Sequence, residues 1–319
     1  MEKIALEEHF RVPHMPEYSG AAQYLSDKTA AKHIDDLLAD FDELRLQAMD
    51  EAKVTKAILS HTIPGLAATT DKNKAVDDAT KINDFLAGKI ARHPKRLSGF
   101  ATLPMQSAPD AAKELERCVK QLGFHGAMIN GHTHGHYLDE DRYEVFWERV
   151  ADLNVPIIYL HPTTAWQTPQ NCLDYPELAE AIWGWAVETG THILRLLFSG
   201  LFDRFPTLQI IAGHGGEGLP YFLWRFDSRF KIMSFGKTLK KRPSAYIREN
   251  VSITTAGLCS TPALRCALEG LGEDSVLFSV DYPYESSRVA GDWLDMSGLP
   301  ADTLKKVASG NAKRLLHLP

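Results

Sequence analysis

A single α/β domain built as a (β/α)8 barrel is the fold this sequence predicts. Short apolar runs alternate with longer amphipathic stretches from end to end, eight such runs fit the 319-residue length, and no nucleotide-binding glycine pattern interrupts them. Alternation of β and α argues for a parallel sheet, because parallel neighbours require a crossover that is usually helical. Eight units favour a closed barrel over an open doubly wound sheet, and the absence of G-x-G-x-x-G and G-x-x-x-x-G-K-[ST] weakens the dinucleotide and P-loop alternatives. A chain of this length exceeds the ~250 to 300 residues at which most cores divide, which one large barrel spanning residues 1–319 accommodates.

The first strand is Ile4 to Phe10. The segment from Arg11 to about Lys32, with Pro13, Pro16 and Gly20, is too long for an ordinary βα loop and is expected to form a lid over the barrel mouth. The remaining strands are Lys56 to Ser60, Leu97 to Leu103, Phe124 to Asn130, Pro156 to His161, Leu208 to His214, Val251 to Ala256 and Ser275 to Asp281. Between them, apolar residues recur at three and four in Ala75 to Arg92, Asp110 to Gln121, Arg142 to Leu153, Pro176 to Leu197 and Leu219 to Met233, which predicts helices. Gly310 to Leu316 reads as a closing helix.

Composition excludes several partners. A net charge of −6 and a pI near 6.1 give no general attraction to phosphate backbones or anionic lipid, so neither nucleic acid nor membrane is expected. The basic cluster Lys237 to Arg242 is read as a solvated loop or helix edge. Met1-Glu2-Lys3 leads straight into a strand and not into a long apolar segment, and no stretch approaches the ~18 apolar residues of a membrane span. Cys118, Cys172, Cys259 and Cys266 lack C-x-x-C spacing, as expected of free thiols in a reducing, cytoplasmic setting.

Function is expected at the strand ends, where barrels of this kind carry their chemistry. Strands one, five, six and eight end in Glu7-Glu8-His9, His161, His214 and Asp281, each after an apolar run that would otherwise continue. Residues at i and i+2 of a strand share a face, so Glu7 and His9 project together while Glu8 points away. A lone buried histidine is as often a hydrogen-bonded core group as a ligand, but four polar strand ends on one side of a barrel point to a site. Carboxylates and imidazoles together suit one divalent cation such as Zn or Mn, with positions left for water or substrate. Glu217, three residues after His214, is placed to orient that imidazole, although a glutamate opening a helix is also favoured by the dipole alone.

These pieces, with Ala5 to Phe10, Leu160-His161-Pro162, Gly200 to Asp203, Gly213-His214, Gly216 to Pro220, Trp224-Arg225, Phe278 to Pro283 and Gly310-Asn311-Ala312, resemble in order the amidohydrolase superfamily. The resemblance is specifically to its metal-dependent hydroxybenzoate decarboxylases, the γ-resorcylate and 2,3-dihydroxybenzoate group, and it covers essentially the whole chain. It implies Glu7, His9, His161 and Asp281 as ligands of a single metal, His214 and Glu217 against the substrate, Asn130 lining the pocket, and Arg225 reaching a neighbouring subunit of a homodimer or homotetramer. Two departures bear on the substrate: Thr163-Thr164-Ala165 follows His-Pro where relatives often have Arg-Asn-Pro, and strand four is followed by the histidine-rich Gly131 to His136. Those histidines are read either as pocket or proton-shuttle groups or as a solvated loop. His192 is expected to pack in a helix, Trp183 and Trp185 to lie in the helix after strand five as core or interface, and Cys118 and Cys266 to fill apolar space.

The implied reaction is non-oxidative decarboxylation of an ortho-hydroxylated aromatic carboxylate, with Asp281, or alternatively His214, protonating the ipso carbon before CO2 leaves. The competing reading is hydrolysis of a lactone or ring-cleavage product at the same ligands. A third, a structural metal without catalysis, is disfavoured because closed structural sites prefer four protein ligands rich in cysteine.

Overall fold

The computed structural model describes residues 1–20, 27–153 and 157–318. Each of the eight apolar runs overlaps a strand: β1 (Lys3–Phe10), β2 (Val54–His61), β3 (Leu97–Gly99), β4 (Gly126–Asn130), β5 (Ile157–His161), β6 (Ile210–Ala212), β7 (Val251–Thr254) and β8 (Val276–Leu277). Pro156, expected to begin strand five, lies outside the described residues. All ladders are parallel, in a three-stranded sheet ordered β1-β2-β3 and a five-stranded sheet ordered β4 to β8. The fold is thus α/β with parallel sheets.

The edges of the two sheets meet at two places. At one, Ala101 pairs with Ala127 in a single parallel bridge; at the other, Glu8 pairs with Tyr282. Helices α1 (Lys28–Ala39), α2 (Leu44–Ala52), α3 (Lys72–Arg92), α4 (Ala108–Gln121), α5 (Glu144–Asp152), α6 (Gly184–Phe198), α7 (Leu201–Arg204), α8 (Leu219–Phe230), α9 (Pro243–Asn250), α10 (Thr261–Leu271), α11 (Ser287–Asp295), α12 (Ala301–Lys305) and α13 (Asn311–Leu315) connect and follow the strands. Their starts obey local chemistry: Asp71 caps α3 by accepting from the amides of Asn73 and Lys74 at 2.9 and 3.1 Å. In α4, Ala111, Leu115 and Cys118 recur at three and four and are buried, so Cys118 fills apolar space as expected.

The buried apolar residues divide into two clusters. The larger, including Ala5, Phe10, Leu59, Ala127, Leu160 and Ile210, lies between strands and helices. The smaller takes Ile4, Leu6, Ile58, Phe100, Met128, Tyr159, Ile211 and Leu277 from strands of both sheets and is completed by Ala312, Leu315 and Leu316 of the C-terminal segment. Facing residues of both sheets therefore share one interior.

Two expected helices differ. Pro176 to Leu197 is not continuous: a 3-10 turn at Pro176–Ala179 precedes α6, because the amides of Trp183 and Trp185 both turn back onto the carbonyl of Glu180. Trp183 consequently stands before the helix, exposed, and only Trp185 is inside it. The closing helix is preceded by a π-type turn at Lys306–Gly310, and Asn311 ties it to the carbonyls of Glu273 and Val276 at 2.6 and 2.8 Å. After β1, residues 11–20 run against the β2–α3 connection, with the Gly20 amide on Ile63 O at 3.0 Å and the Tyr18 hydroxyl on Asp78 at 2.6 Å. Helix α1 already begins at Lys28, so the insertion is shorter than expected, and residues 21–26 of it lie outside the described residues.

Candidate metal centre

Strict alternation along β1 would turn Glu7 and His9 the wrong way. Ile4 and Leu6 belong to the interior cluster, which by period two would send Glu8 inward and its neighbours out. The register of β1 on β2 shifts between Ala5 and Glu8, however, and the amides of Leu6 and Glu7 both donate to the Ser279 hydroxyl, at 2.9 and 3.1 Å. Two consecutive amides on one acceptor mark a β-bulge, which re-aims the side chains beyond it. Leu6 and Glu7 both face inward, His9 follows Glu7, and Ala5 and Phe10 pack on the helix side. Leu277, Ser279 and Asp281 continue in one phase at the end of β8, and Ile157, Tyr159 and His161 do so on β5.

The expected ligands converge. Glu7 Oε1 lies 3.3 Å from His161 Nε2, 3.9 Å from His9 Nε2 and 3.5 Å from His214 Nε2. Asp281 Oδ1 is 3.2 Å from His9 Nε2, and its Oδ2 is 3.7 Å from His214 Nε2. Glu7, His9 and His161 form one set of donor atoms able to share an ion; Glu7, His214 and Asp281 form a second that overlaps it. Glu7 Oε1 and both ring nitrogens of His9 are buried without a hydrogen-bond partner, so the donor set fits a divalent cation placed among them.

Burial drives the electrostatics. It raises the Glu7 carboxyl to about 7 against the attraction of His214. Burial, with the charges of His9 and His214, pushes His161 well below the usual imidazole range. For Asp281, burial is outweighed by the neighbouring His214 and His9 imidazoles, which hold it below the usual carboxylate range. His214 is raised: burial opposes its charge, but Glu7, Glu217 and Asp281 outweigh it.

Three site residues occupy the left-handed backbone region, His214 at φ 48°, Glu217 at 54° and Asp281 at 80°. Such conformations cost roughly 1–3 kcal/mol each. Glu217 therefore does not open α8; it stands ahead of it, and its Oε1 takes His214 Nδ1 at 2.8 Å, leaving Nε2 toward Glu7 and Asp281.

Tyr159 was not among the expected site residues. Its hydroxyl donates to Glu7 Oε2 in a short contact and lies 2.9 Å from Thr254 Oγ1, so one carboxylate oxygen is held and the other is left for the metal. A Cβ at Gly213 would stand 2.6 Å from Glu7 Oε2, which makes glycine necessary beside this pair. The available signal was a hydroxyl two residues before His161 in an otherwise apolar strand. His61, which extends β2 one residue past the expected end, is also buried, with Nε2 unpartnered, and burial lowers it to about 4.

The remaining candidates separate. Asn130 ends β4 opposite His161, with its side-chain oxygen buried and unpartnered. Arg225 is exposed on α8, lines a groove with Trp183, Phe222 and Phe226, and makes no ion pair among the described residues. The imidazoles of the histidine-rich loop are all hydrogen-bonded, His136 to Glu140 at 2.9 Å. His132 is tied through Nε2 to Thr164 O at 3.1 Å and through Nδ1 to the Gly135 amide at 3.3 Å, and His134 reaches Ala67 O at 2.9 Å. A Cβ at Gly131 would come 2.3 Å from Thr163, so the two departures from the family pattern pack against each other. His192 is a packing residue, as expected: buried in α6, it accepts the Leu138 amide at 2.9 Å.

Residues 9–318 match the family profile described as Amidohydrolase. The chain is 40% identical to the γ-resorcylate decarboxylase of Polaromonas sp. strain JS666, over 99% of this chain and 98% of the relative. Among solved structures it resembles 2,6-dihydroxybenzoate decarboxylase complexed with 2,6-dihydroxybenzoate, at 38% identity and a TM-score of 0.94 with full coverage of both chains. It also resembles the dihydroxybenzoic acid decarboxylase of Polaromonas sp. JS666 with bound manganese and the inhibitor 2-nitroresorcinol, at 39% identity and a TM-score of 0.92 over 99% and 97% of the two chains.

Proposed function

Since the chain belongs to the amidohydrolase family, within its metal-dependent hydroxybenzoate decarboxylases, we propose that it removes the carboxylate of an ortho-hydroxylated benzoate such as 2,6-dihydroxybenzoate. The observation that carries this is the convergence of Glu7, His9, His161 and Asp281 around unpartnered donor atoms, beside a His214–Glu217 pair. Those four residues would hold one divalent metal, manganese by likeness to the relatives with zinc as the alternative, supplying Lewis acidity toward the carboxylate and the ortho hydroxyl.

The residues' work is positioning and proton handling. Loss of CO2 from an unprotonated ring would leave an aryl anion in the ring plane, outside reach of the π system. The ipso carbon must take a proton first; the C–C electron pair then returns to the ring as CO2 departs. Asp281, 3.7 Å from His214 Nε2, receives the phenolic proton and hands it to the ipso carbon, with His214 as the alternative donor. Glu217 keeps His214 Nε2 directed at the site. Asn130 lines the pocket wall at the end of β4.

The eight strands are inferred to close as one (β/α)8 barrel over residues 1–319, supported by the shared interior and the bridges at both sheet edges. Residues 11–20 would cover part of its mouth. The exposed apolar groove between α6 and α8, with Trp183, Phe222 and Arg225, supports a homo-oligomer, dimer or tetramer, in which Arg225 serves a neighbouring site. Among the described residues no helix is long and apolar enough to cross a membrane, and the four cysteines are unpaired, in keeping with a cytoplasmic enzyme.

A screen of hydroxylated benzoates on metal-assayed protein tests the proposal. CO2 release from an ortho-hydroxybenzoate is expected; opening of a lactone with no CO2 from any benzoate would replace it with the hydrolase reading.

A further inference from the structure

Glu8 lies between two expected ligands and takes no part in their chemistry. It faces the helix side of β1, yet it is a carboxyl side chain with only 3% of its surface exposed. Its Oε1 accepts the amide of Val280 at 3.0 Å, directly before Asp281. On the same side Arg45 of α2, 1% exposed, donates to the His9 carbonyl at 2.6 Å and stacks on the Tyr282 ring at 4.6 Å. On the interior side the Ser279 hydroxyl accepts the amides of Leu6 and Glu7. Among the described residues, backbone pairing at this seam is limited to Asp281 N to Glu7 O at 3.0 Å and His9 N to Tyr282 O at 2.7 Å.

Resting on the metal-ligand assignment above, we propose that Ser279 and Glu8 are positioning residues for the metal: their side-chain acceptors hold the β1 bulge in phase and pin the segment carrying Asp281 to the strand carrying Glu7 and His9. If the bulge relaxed, strict alternation would carry Glu7 and His9 off the interior face and bring Glu8 onto it. Three of the four assigned ligands come from the first strand and the segment after the last, so their spacing depends on this seam more than on either strand alone. Arg45 restrains the same unit from outside through the His9 carbonyl.

The test is Mn2+ binding to metal-stripped protein by calorimetry, with melting of the metal-free form measured alongside. Ser279→Ala removes the shared acceptor and is expected to weaken Mn2+ binding about 10- to 100-fold, the range for groups that orient metal ligands. Glu8→Gln retains a carbonyl acceptor for Val280 and should bind within about threefold of the parent, whereas Glu8→Leu should lose affinity as Ser279→Ala does. Should Glu8→Leu fail to fold, Glu8→Asp, one methylene too short to reach Val280, replaces it with the same expectation. Parent-like Mn2+ affinity in Ser279→Ala and in the Glu8 variant lacking the acceptor would overturn the inference. A parent protein that takes up no Mn2+ would overturn the ligand assignment beneath it.

Discussion

The two places where the sheets meet are closed differently. At β3–β4 the contacts are backbone to backbone: Ala101 N to Gly126 O at 2.8 Å, Met128 N to Ala101 O at 3.2 Å and His125 N to Gly99 O at 3.1 Å. At β8–β1, side chains supply acceptors that a regular ladder would take from the backbone, from Ser279 and from Glu8. Backbone pairing is indifferent to side-chain identity, so the first junction needs only small residues that fit. The second trades that tolerance for a bulge, and the bulge directs Glu7 and His9 inward beside Asp281. The candidate ligands Glu7, His9 and Asp281 gather where the ladder is irregular.

The largest effect that sharpens this contrast is loss of the metal. Chelation should abolish turnover, and Mn2+ should restore it, with little change in the far-UV circular dichroism spectrum, because both junctions are held by protein hydrogen bonds. Next, Tyr159→Phe frees Glu7 Oε2 from its anchor and should weaken Mn2+ affinity about 10- to 100-fold, read by calorimetry on the stripped protein. Conversion of Asp281→Asn should drop turnover while Mn2+ stays bound; near-parent turnover in that variant would exclude Asp281 as proton donor.

Stability should separate the junctions more gently. Ser279→Ala strands two buried amides, at about 1–3 kcal/mol each, whereas Ala101→Gly at the other junction should cost about 1 kcal/mol, both measured by urea denaturation. A pH-dependent effect lies beyond β4, where His192 holds the loop at Leu138. Burial first, then Arg195 and His132, lower its imidazole to about 3 from 6.5. Between those values the unfolded chain binds the proton and the folded chain does not, so stability rises with pH. The contribution is complete above about 6.5 and is lost progressively as pH falls toward 3. His192→Asn should flatten that slope by up to about 1.4 kcal/mol per pH unit between pH 6 and 4.

Much of this was legible in the sequence because its signals are local. Strand positions follow from apolar runs such as Ile157-Ile158-Tyr159-Leu160, and the ligands stood out as polar groups ending them. What was not legible depends on partners distant in the chain. The bulge at Leu6-Glu7 requires the hydroxyl of Ser279, which alone reads as an unremarkable strand residue. Nothing in the local sequence of Tyr159 separates it from a core aromatic; its role depends on Glu7 beside it. The break before α6 depends on the Glu180 carbonyl, a backbone group without any sequence signature. The histidine-rich loop and Thr163-Thr164, two separate oddities in sequence, prove to be one packed unit.

One metal, held at the β8–β1 junction and by His161, is proposed to drive loss of CO2. Mn2+ should be titrated into stripped protein while CO2 release from 2,6-dihydroxybenzoate is followed. Activity is predicted to rise linearly and level off at one Mn2+ per chain; saturation at two, or full turnover without metal, would contradict it.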